Sequence, residues 1–502
     1  GASAAPSWTT ISAAPEITAT AGEALTAGDG CVINSSGNAE KVKETVTINL
    51  SLVSEANVEQ NDCRELGSCY NVSTATHVMI VRWGSGYEAK TFVSTYDGVN
   101  SSGWSHGSGQ QLNSSNSNSM AMATVDGTNY AICGYRQGGN YQIHKGQINA
   151  SNKSVSWSTL TSNLEGHDGG GHADIISCGN ERNAIISSFS GDSYRVKCYI
   201  TTGSGSMTLG SAGTVSSNTG AFNHTHSCYD SVNDRILCIS QRDESNNVGV
   251  YSRVGTISGT TGSVTTSWGT INTVATSSSI GSDYKHSVVF DPSIGKFVCV
   301  WKSGSNCLGS IGTYSNSGKT EITWGSAVTL DNDMENQKCL GYDDKTDRTL
   351  IAYINADGNT PRCKIRVLTI SGNNITTSSA VQDSRDNASA DHVRNGNFNY
   401  DTANKQMVIA HGPGYGRASY TAVNSGSATT NALDFVGFAS ANVSSGAQAT
   451  LLVSGNTTSD QSGLTVGKPH YFTSTGGLST TASDPAVVAG VALSATKLLI
   501  KG

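Results

Sequence analysis

Apolar residues recur in this chain as short runs, each set against a polar turn. Residues 224–240, HTHSCYDSVNDRILCIS, show the unit. A first run closes on Tyr229-Asp230, a polar turn follows, and Arg235 opens the apolar run Ile236 to Ile239. This reads as strand, tight turn, strand, with turn-forming residues in the middle. The unit returns at KHSVVFDPSIGKFVCVW from Lys285, KCLGYDDKTDRTLIAYI from Lys338, NGNFNYDTANKQMVIAH from Asn395 and GSCYNVSTATHVMIVRW from Gly67, with weaker copies from Ala121 and Ala173. Taking the turn-opening Asp or Asn as marker gives Asn71, Asp126, Asn180, Asp230, Asp291, Asp343 and Asp401, about 55 residues apart. Seven strand-only repeats of this length predict an all-β fold, a seven-bladed β-propeller.

Each repeat continues with a third strand and a fourth that ends near a Trp: Trp104, Trp157, Trp268 and Trp324. Their recurrence predicts packing between blades. The seventh repeat has strands near 396–400, 406–411 and 416–423 but no fourth. Residues 45–53, TVTINLSLV, alternate cleanly and predict an orphan strand just before the first repeat. Pairing it with the last repeat would close the ring and leave no edge.

The flanks differ from the repeats. GLTVGKPHYFTSTGGLS at 463–479 matches ALTAGDGCVINSSGNAE at 24–40 without a gap, setting Leu25, Thr26, Gly28 and Gly37 against Leu464, Thr465, Gly467 and Gly476. The expected organisation is therefore a junction and hairpin segment at 1–43, a propeller at 44–430, and a C-terminal β-domain at 431–502 that pairs with 16–42. The propeller is then inserted in a small terminal β-domain.

Composition agrees with an all-β chain. There are 57 glycines in 502 residues, charged residues make up only 14%, and no useful 3.6-residue period appears. The net charge of −7 is spread without blocks, so no basic patch marks a nucleic-acid partner, and no run of about 18 apolar residues predicts membrane insertion. The chain opens on Gly1 rather than Met, which reads as a fragment or processed product. Twelve cysteines sit mostly inside strands, where a thiol acts as a small hydrophobe. Cys228 with Cys238 and Cys299 with Cys307 are expected to face each other across hairpins. Cys63 with Cys69 is the pair best placed to bridge in an oxidising compartment.

These repeats resemble the β-propeller repeats in tail-fibre and structural proteins of tailed bacteriophages, marine ones especially. The ending QSGLTVGKPHYFTSTGGLSTTASDPAVVAGVALSATKLLIKG is similar to the C-terminal segment of that group, and GASAAPSW resembles the junction between a fibre shaft and its next module. The resemblance implies a virion protein of the tail fibre, extracellular after release. It also implies other tail proteins as neighbours and a homotrimer near the host-contacting end. It supplies no motif of functional residues.

For chemistry, the chain has no GxSxG elbow, HExxH or Walker loop, and residues 315–324 lack the Asp of a sialidase-type box. No carboxylate pair suited to glycoside hydrolysis stands out, because Asp343 and Asp344 fall in a turn. No catalytic residues and no cofactor are assigned, although DDKTD at 343–347 is acidic enough for a weak ion. His172, His226, His286 and His392 sit at or near first strands and would gather at one end of the channel as weak metal or polar-ligand candidates. Trp83, Tyr135, Trp301 and Tyr353 lie near second-strand ends and are candidate receptor-binding aromatics; packing between blades is the competing reading. The function expected is adhesion to a host cell-surface polysaccharide or protein. The alternatives are a fibre-borne depolymerase and an architectural knob or spacer.

Overall fold

The computed structural model describes residues 15–501 except 60–62, 64, 165–172, 190–194, 204, 217–220, 245–246, 260–263, 278–279, 281–285, 356–362, 383–396, 413–416, 474–475 and 483–485. The chain is all-β, and its described helical turns are two short 3-10 segments, Ser101–Gly103 and Ala432–Asp434. No described helix is long and apolar enough to cross a membrane. The chain divides into two compact units, Ile48–Gly426 and a terminal unit of Gly1–Thr47 with Ser427–Gly502.

The larger unit holds seven antiparallel sheets, each a meander. Their first two strands are Leu66–Asn71 and Thr76–Trp83 in sheet 1, Ser117–Thr124 and Tyr130–Gln137 in sheet 2, and Asp174–Ser177 and Arg182–Phe189 in sheet 3. Sheet 4 opens with Ala221–Asp230 and Arg235–Glu244, sheet 5 with His286–Asp291 and Lys296–Ser303, and sheet 6 with Met334–Asp343 and Arg348–Asn355. Sheet 7 consists of Asn397–Asp401, Gln406–His411, Ala418–Thr430 and, as its fourth strand, Glu44–Glu59. The strand read at 45–53 thus extends over 16 residues and lies beside the last repeat. The first strand of each sheet packs on that of the next, and sheet 7 packs on sheet 1.

The fourth strand departs from the single run expected. In five sheets it is split in two, both pieces pairing with the third strand, as Thr265–Trp268 and Asn272–Ser277 do with Asn247–Ser258. Trp104 precedes its strand Ser105–His106 and stacks between Tyr96 at 4.4 Å and Tyr420 of sheet 7 at 5.0 Å. The indole N–H groups of Trp104, Trp157 and Trp324 donate to Ser54, Thr91 and Ser252 of the preceding sheet at 2.9, 3.0 and 2.8 Å. Trp268 instead donates within its own strand, to Thr266. Three of these rings lie against a third-strand glycine in the facing register position: Gly146–Trp157, Gly255–Trp268 and Gly312–Trp324. A Cβ at Gly146 would come within 2.5 Å of the Trp157 ring, so only glycine leaves the indole room to lie flat.

Four of the five marker carboxylates, Asp230, Asp291, Asp343 and Asp401, are buried and do two things at once, whereas Asp126 is exposed. One oxygen of Asp230 accepts the backbone N–H of Val232 and Asn233 in its own turn, at 2.9 and 3.0 Å. The other accepts the hydroxyl of Tyr314 in sheet 5, at 2.7 Å. Asp291 accepts from Ser293 and from Thr349 of sheet 6; Asp343 from Lys345 and from Ser425 of sheet 7; Asp401 from Ala403 and from His77 of sheet 1 at 3.1 Å. Asn71 accepts from Thr74 and donates to Thr128 O of sheet 2. The remaining junctions are spanned by Asn183 to Thr124 O, between sheets 3 and 2, and by the Arg182–Asp234 ion pair at 2.7 Å, between sheets 3 and 4.

The cysteines are all buried. The hairpin register corrects their expected facing. Leu237, not Cys238, stands opposite Cys228, and Ser310 and Lys302 stand opposite Cys299 and Cys307. An offset of one residue turns side chains to opposite faces of the sheet. Cys238 accordingly packs between sheets 3 and 4, and Cys228 between sheets 4 and 5.

The terminal unit contains two five-stranded sheets. One has the spatial order Glu16–Thr20, Gln448–Val453, Phe435–Ala439, Gly30–Ile33, Ala39–Lys41. The other has Thr457–Thr458, Leu498–Ile500, Val488–Ala492, Pro469–Phe472, Leu478–Ser479.

The sheet 7 to sheet 1 junction carries a test. Burial pushes the Asp401 carboxyl up, but the hydrogen bond and charge of His77 outweigh it and hold the group below the usual carboxylate range. A depressed native pKa gives stability that is full above the unfolded value, about pH 4, and is lost as pH falls through the native value. Asp401→Ala should cost about 3–5 kcal/mol in urea unfolding near neutral pH, since it strands a buried partner. The gap in Tm between wild type and Asp401→Asn should narrow as the pH falls below about 4. A gap that widens in acid would exclude this linkage.

Candidate functional site

The two ends of each sheet carry different connections. The turn between strands one and two has four residues in six of the seven sheets and five in sheet 2, and the connections from strand three to four, at the same end, run from two residues, 372–373, to nine, 96–104. Because the strands are antiparallel, the connections from strand two to three, and from one sheet to the next, emerge at the other end. Those from strand two to three run from two residues, 304–305, to seven, 356–362. Those between sheets run from two, 332–333, to fourteen, 383–396.

First strands carry a line of polar bonds between sheets. Asn399 Nδ2 donates to Ser68 Oγ at 2.7 Å, across sheets 7 and 1. Asp174 Oδ2 accepts the backbone N–H of Ser227 at 2.6 Å. His226 meets Ser287 Oγ and the Val288 N–H, both at 3.4 Å, and Ser287 Oγ in turn accepts the Leu340 N–H at 3.1 Å. Burial pushes the Asp174 carboxyl up, with His226 and the Ser227 N–H offsetting part of the rise. Asp, His and Ser are close here but do not form a nucleophile relay. Both His226 nitrogens point at Ser287 and Val288, and the Ser287 hydroxyl is fully buried.

Of the four candidate histidines, His226 and His286 lie on the first strands of sheets 4 and 5, and His286 is buried opposite Trp301. His172 and His392 lie outside the described residues. Among the described residues no three His, Cys, Asp or Glu side chains converge on a metal-sized site. The acidic turn at 343–347 is committed internally: Asp343 holds Lys345, Thr346 and Ser425, and Asp347 accepts the Tyr342 hydroxyl at 2.5 Å.

Three of the four candidate aromatics are core. Tyr135 and Trp301 are 2% exposed and Tyr353 1%, so none offers a face for stacking a ligand. The Tyr135 hydroxyl is 3.1 Å from His144 Nε2 with the two rings stacked. Trp301 packs between sheets 4 and 5. Tyr353 donates to Asp331 at 2.5 Å and accepts from Arg366, which itself holds Asp331 at 2.6 Å. These sheets are covered on both faces, so a large ring near a strand end still falls inside. Trp83 differs. It is partly exposed at the end of its strand, with Lys90 Nζ 4.1 Å from its ring centroid. Arg82 lies over Tyr87 at 4.0 Å on the following loop. Arg82, Tyr87 and Lys90 were not singled out from the sequence; the signal was Lys90 two places past Glu88, the cross-strand partner of Trp83, and Arg82 opposite Ala89, two places past Tyr87.

The terminal unit has a separate polar cleft of about 340 Å³, lined by Asp29, Lys41, Asp460 and Gln461 over Phe438. Lys41 pairs with Asp29 at 2.8 Å, and Gln461 donates to Gly28 O.

No family model matches this chain, and no curated protein does. Among solved structures it is similar to a triple mutant of AofleA from Arthrobotrys oligospora, with TM-score 0.41 and 10% identity over 72% of this chain and 96% of that one. It is also similar to the SapL1 lectin in complex with alpha methyl fucoside, with TM-score 0.39 and 11% identity over 74% and 97%. Sqt1 from Chaetomium thermophilum matches with TM-score 0.41 and 11% identity over 75% and 99%.

The burial difference predicts a clean split. Trp301→Ala and Tyr353→Ala should each cost about 3–5 kcal/mol in chemical denaturation, as cavities in packed cores do. Trp83→Ala, at a side chain only partly buried where it packs on the core between sheets 7 and 1, should cost less, about 1–2 kcal/mol. Equal losses at Trp83 and Trp301 would place Trp83 in the core as well.

Proposed function

We propose that the larger unit is a seven-bladed β-propeller closed by the 44–59 strand, and that the chain is a receptor-binding component of a phage tail fibre. In this reading it adheres to polysaccharide or protein on the host cell. Two facts support the ring: seven successive sheets bonded each to the next, and sheet 7 held to sheet 1 through His77 and Asp401.

The binding reading is carried by one observation, the two aromatics set beside cations, Trp83 with Lys90 and Tyr87 with Arg82, where strand two of sheet 1 passes to strand three. The first-hairpin end of the sheets carries turns of four or five residues and third-to-fourth connections of two to nine, and the other end carries connections of two to fourteen. Recognition characteristically sits in variable loops on a rigid scaffold. Trp83, Tyr87 and Arg82 belong to that end, and an amphipathic ring beside cations suits a hydroxylated or acidic surface polymer. The buried turn carboxylates are engaged in holding turns and sheets, which favours a binder over a hydrolase.

The test is incubation of the full chain with purified host surface polysaccharide and with whole cells. Binding is expected without release of reducing ends, and Trp83→Ala should weaken adsorption about tenfold with the near-UV circular dichroism of the folded chain retained. Reducing-end release would make the protein a depolymerase. Failure to bind either cells or polysaccharide would leave a spacer.

A further inference from the structure

The terminal unit repeats itself strand for strand. In chain order its first sheet uses Glu16–Thr20, Gly30–Ile33, Ala39–Lys41, Phe435–Ala439 and Gln448–Val453. The second uses Thr457–Thr458, Pro469–Phe472, Leu478–Ser479, Val488–Ala492 and Leu498–Ile500, in the same spatial order. The registers agree. Gly30 faces Phe438 and Cys31 faces Gly437, as Pro469 faces Val491 and His470 faces Gly490. Both ladders then slip by one residue, to Val32–Phe435 and Tyr471–Val488. Ala439–Leu451 and Ala492–Leu498 also correspond. The turns repeat as well: Gly37 N bonds Asn34 O at 2.9 Å, and Gly476 N bonds Thr473 O at 3.1 Å. These are two copies of one fold in tandem. Residues 42–434 stand in the first copy where 480–487 stand in the second.

The copies stack head to tail. Val32, Phe435, Phe438 and Leu452, on the outer face of the first copy, share a core with the second. Phe438 is 1% exposed, and the Phe435 ring lies 4.7 Å from Phe472. The hairpin end of the second copy seats here. A Cβ on Gly30 would lie 2.4 Å from the Phe472 ring, and one on Gly476 would lie 2.1 Å from Val42 O.

The matching surfaces at the two ends of the stack are open. The second copy's outer face is Tyr471, Val488, Val491 and Leu499, all at least partly exposed, with Val488 at 36%. Close by in sequence, Val466 and Leu493 are 61% and 49% exposed. On the first copy's hairpin end, a Cβ at Gly37 would meet nothing within 4 Å, where its counterpart Gly476 meets Val42. The free seat has Pro469 in place of Gly30, and the free knob has Ile33 in place of Phe472, so seat and knob shrink together.

We propose that the open outer face of the second copy receives the open hairpin end of the first copy from another chain, so that terminal units associate head to tail. The existing contact between copies shows what covers such a face. The interface is heterologous, so it closes into a ring where the rotation allows and otherwise extends. It stands on the terminal unit alone and does not depend on the binding reading above.

The experiment is light-scattering mass of the full chain at tens of micromolar, with near-UV circular dichroism as the folding control. Wild type should exceed one chain. Val488→Lys and Ile33→Asp should each fall to one chain with unchanged dichroism, and an equal mixture of the two should recover a two-chain species, because one keeps the knob and the other the seat. Should Val488→Lys misfold, Leu499→Lys reports on the same face. A wild-type mass of one chain overturns the proposal. So does loss of assembly in Val488→Lys but not in Ile33→Asp, which marks a symmetric face-to-face dimer, or a mixture that stays monomeric.

Discussion

A buried turn carboxylate that must satisfy both oxygens holds the larger unit together. Taking a carboxylate from water costs several kcal/mol unless each lone pair finds a donor. At Asp230, Asp291, Asp343 and Asp401 the first oxygen closes its own turn and the second accepts from a hydroxyl or imidazole on the neighbouring sheet, joined at Asp230, Asp343 and Asp401 by a side chain of its own turn. One residue type thus couples local turn geometry to the order of sheets. Asn71 does the same with its amide, donating to a backbone carbonyl of sheet 2.

The other end of the coupling is apolar. Clusters form between sheets rather than within them: Cys69, Val78 and Ile80 of sheet 1 meet Met122, Ala131 and Cys133 of sheet 2, and Leu350 and Ile365 of sheet 6 meet Met407 and Ile409 of sheet 7. Each fully buried aliphatic side chain contributes about 1.5–3 kcal/mol. The carboxylates contribute little net stability by comparison, but they permit only one arrangement of neighbours. Where the backbones pack closely, small side chains are required, which accounts for the many buried cysteines and alanines and for the third-strand glycines beneath Trp157 and Trp324.

The first-hairpin turns keep nearly one length around the seven sheets, and the connections at the opposite end differ in length from sheet to sheet. The terminal unit repeats as well. One five-stranded fold is used twice, and its first copy tolerates an excursion of nearly four hundred residues because the strands on either side of it, Ala39–Lys41 and Phe435–Ala439, are both paired to Gly30–Ile33.

The sequence alone determined what is local. The period, the strand–turn–strand unit and the Asx at its corner follow from residue types within a few positions of one another, as does the alternation of 45–53. The match of 24–40 to 463–479 exposed half of the duplication; the remaining strands, two to six residues long, carry too little period to detect. Only the tertiary structure decided which side of a strand is covered. Two-residue periodicity says which residues share a face, but these sheets are packed on both faces, so polarity along the strand does not separate core from surface. Tyr135, Trp301 and Tyr353 therefore lie inside while Trp83, in a similar sequence position, lies at the rim. Cys228 and Cys238 part for the same reason: a register set by a four-residue turn sends them to opposite sides of one sheet.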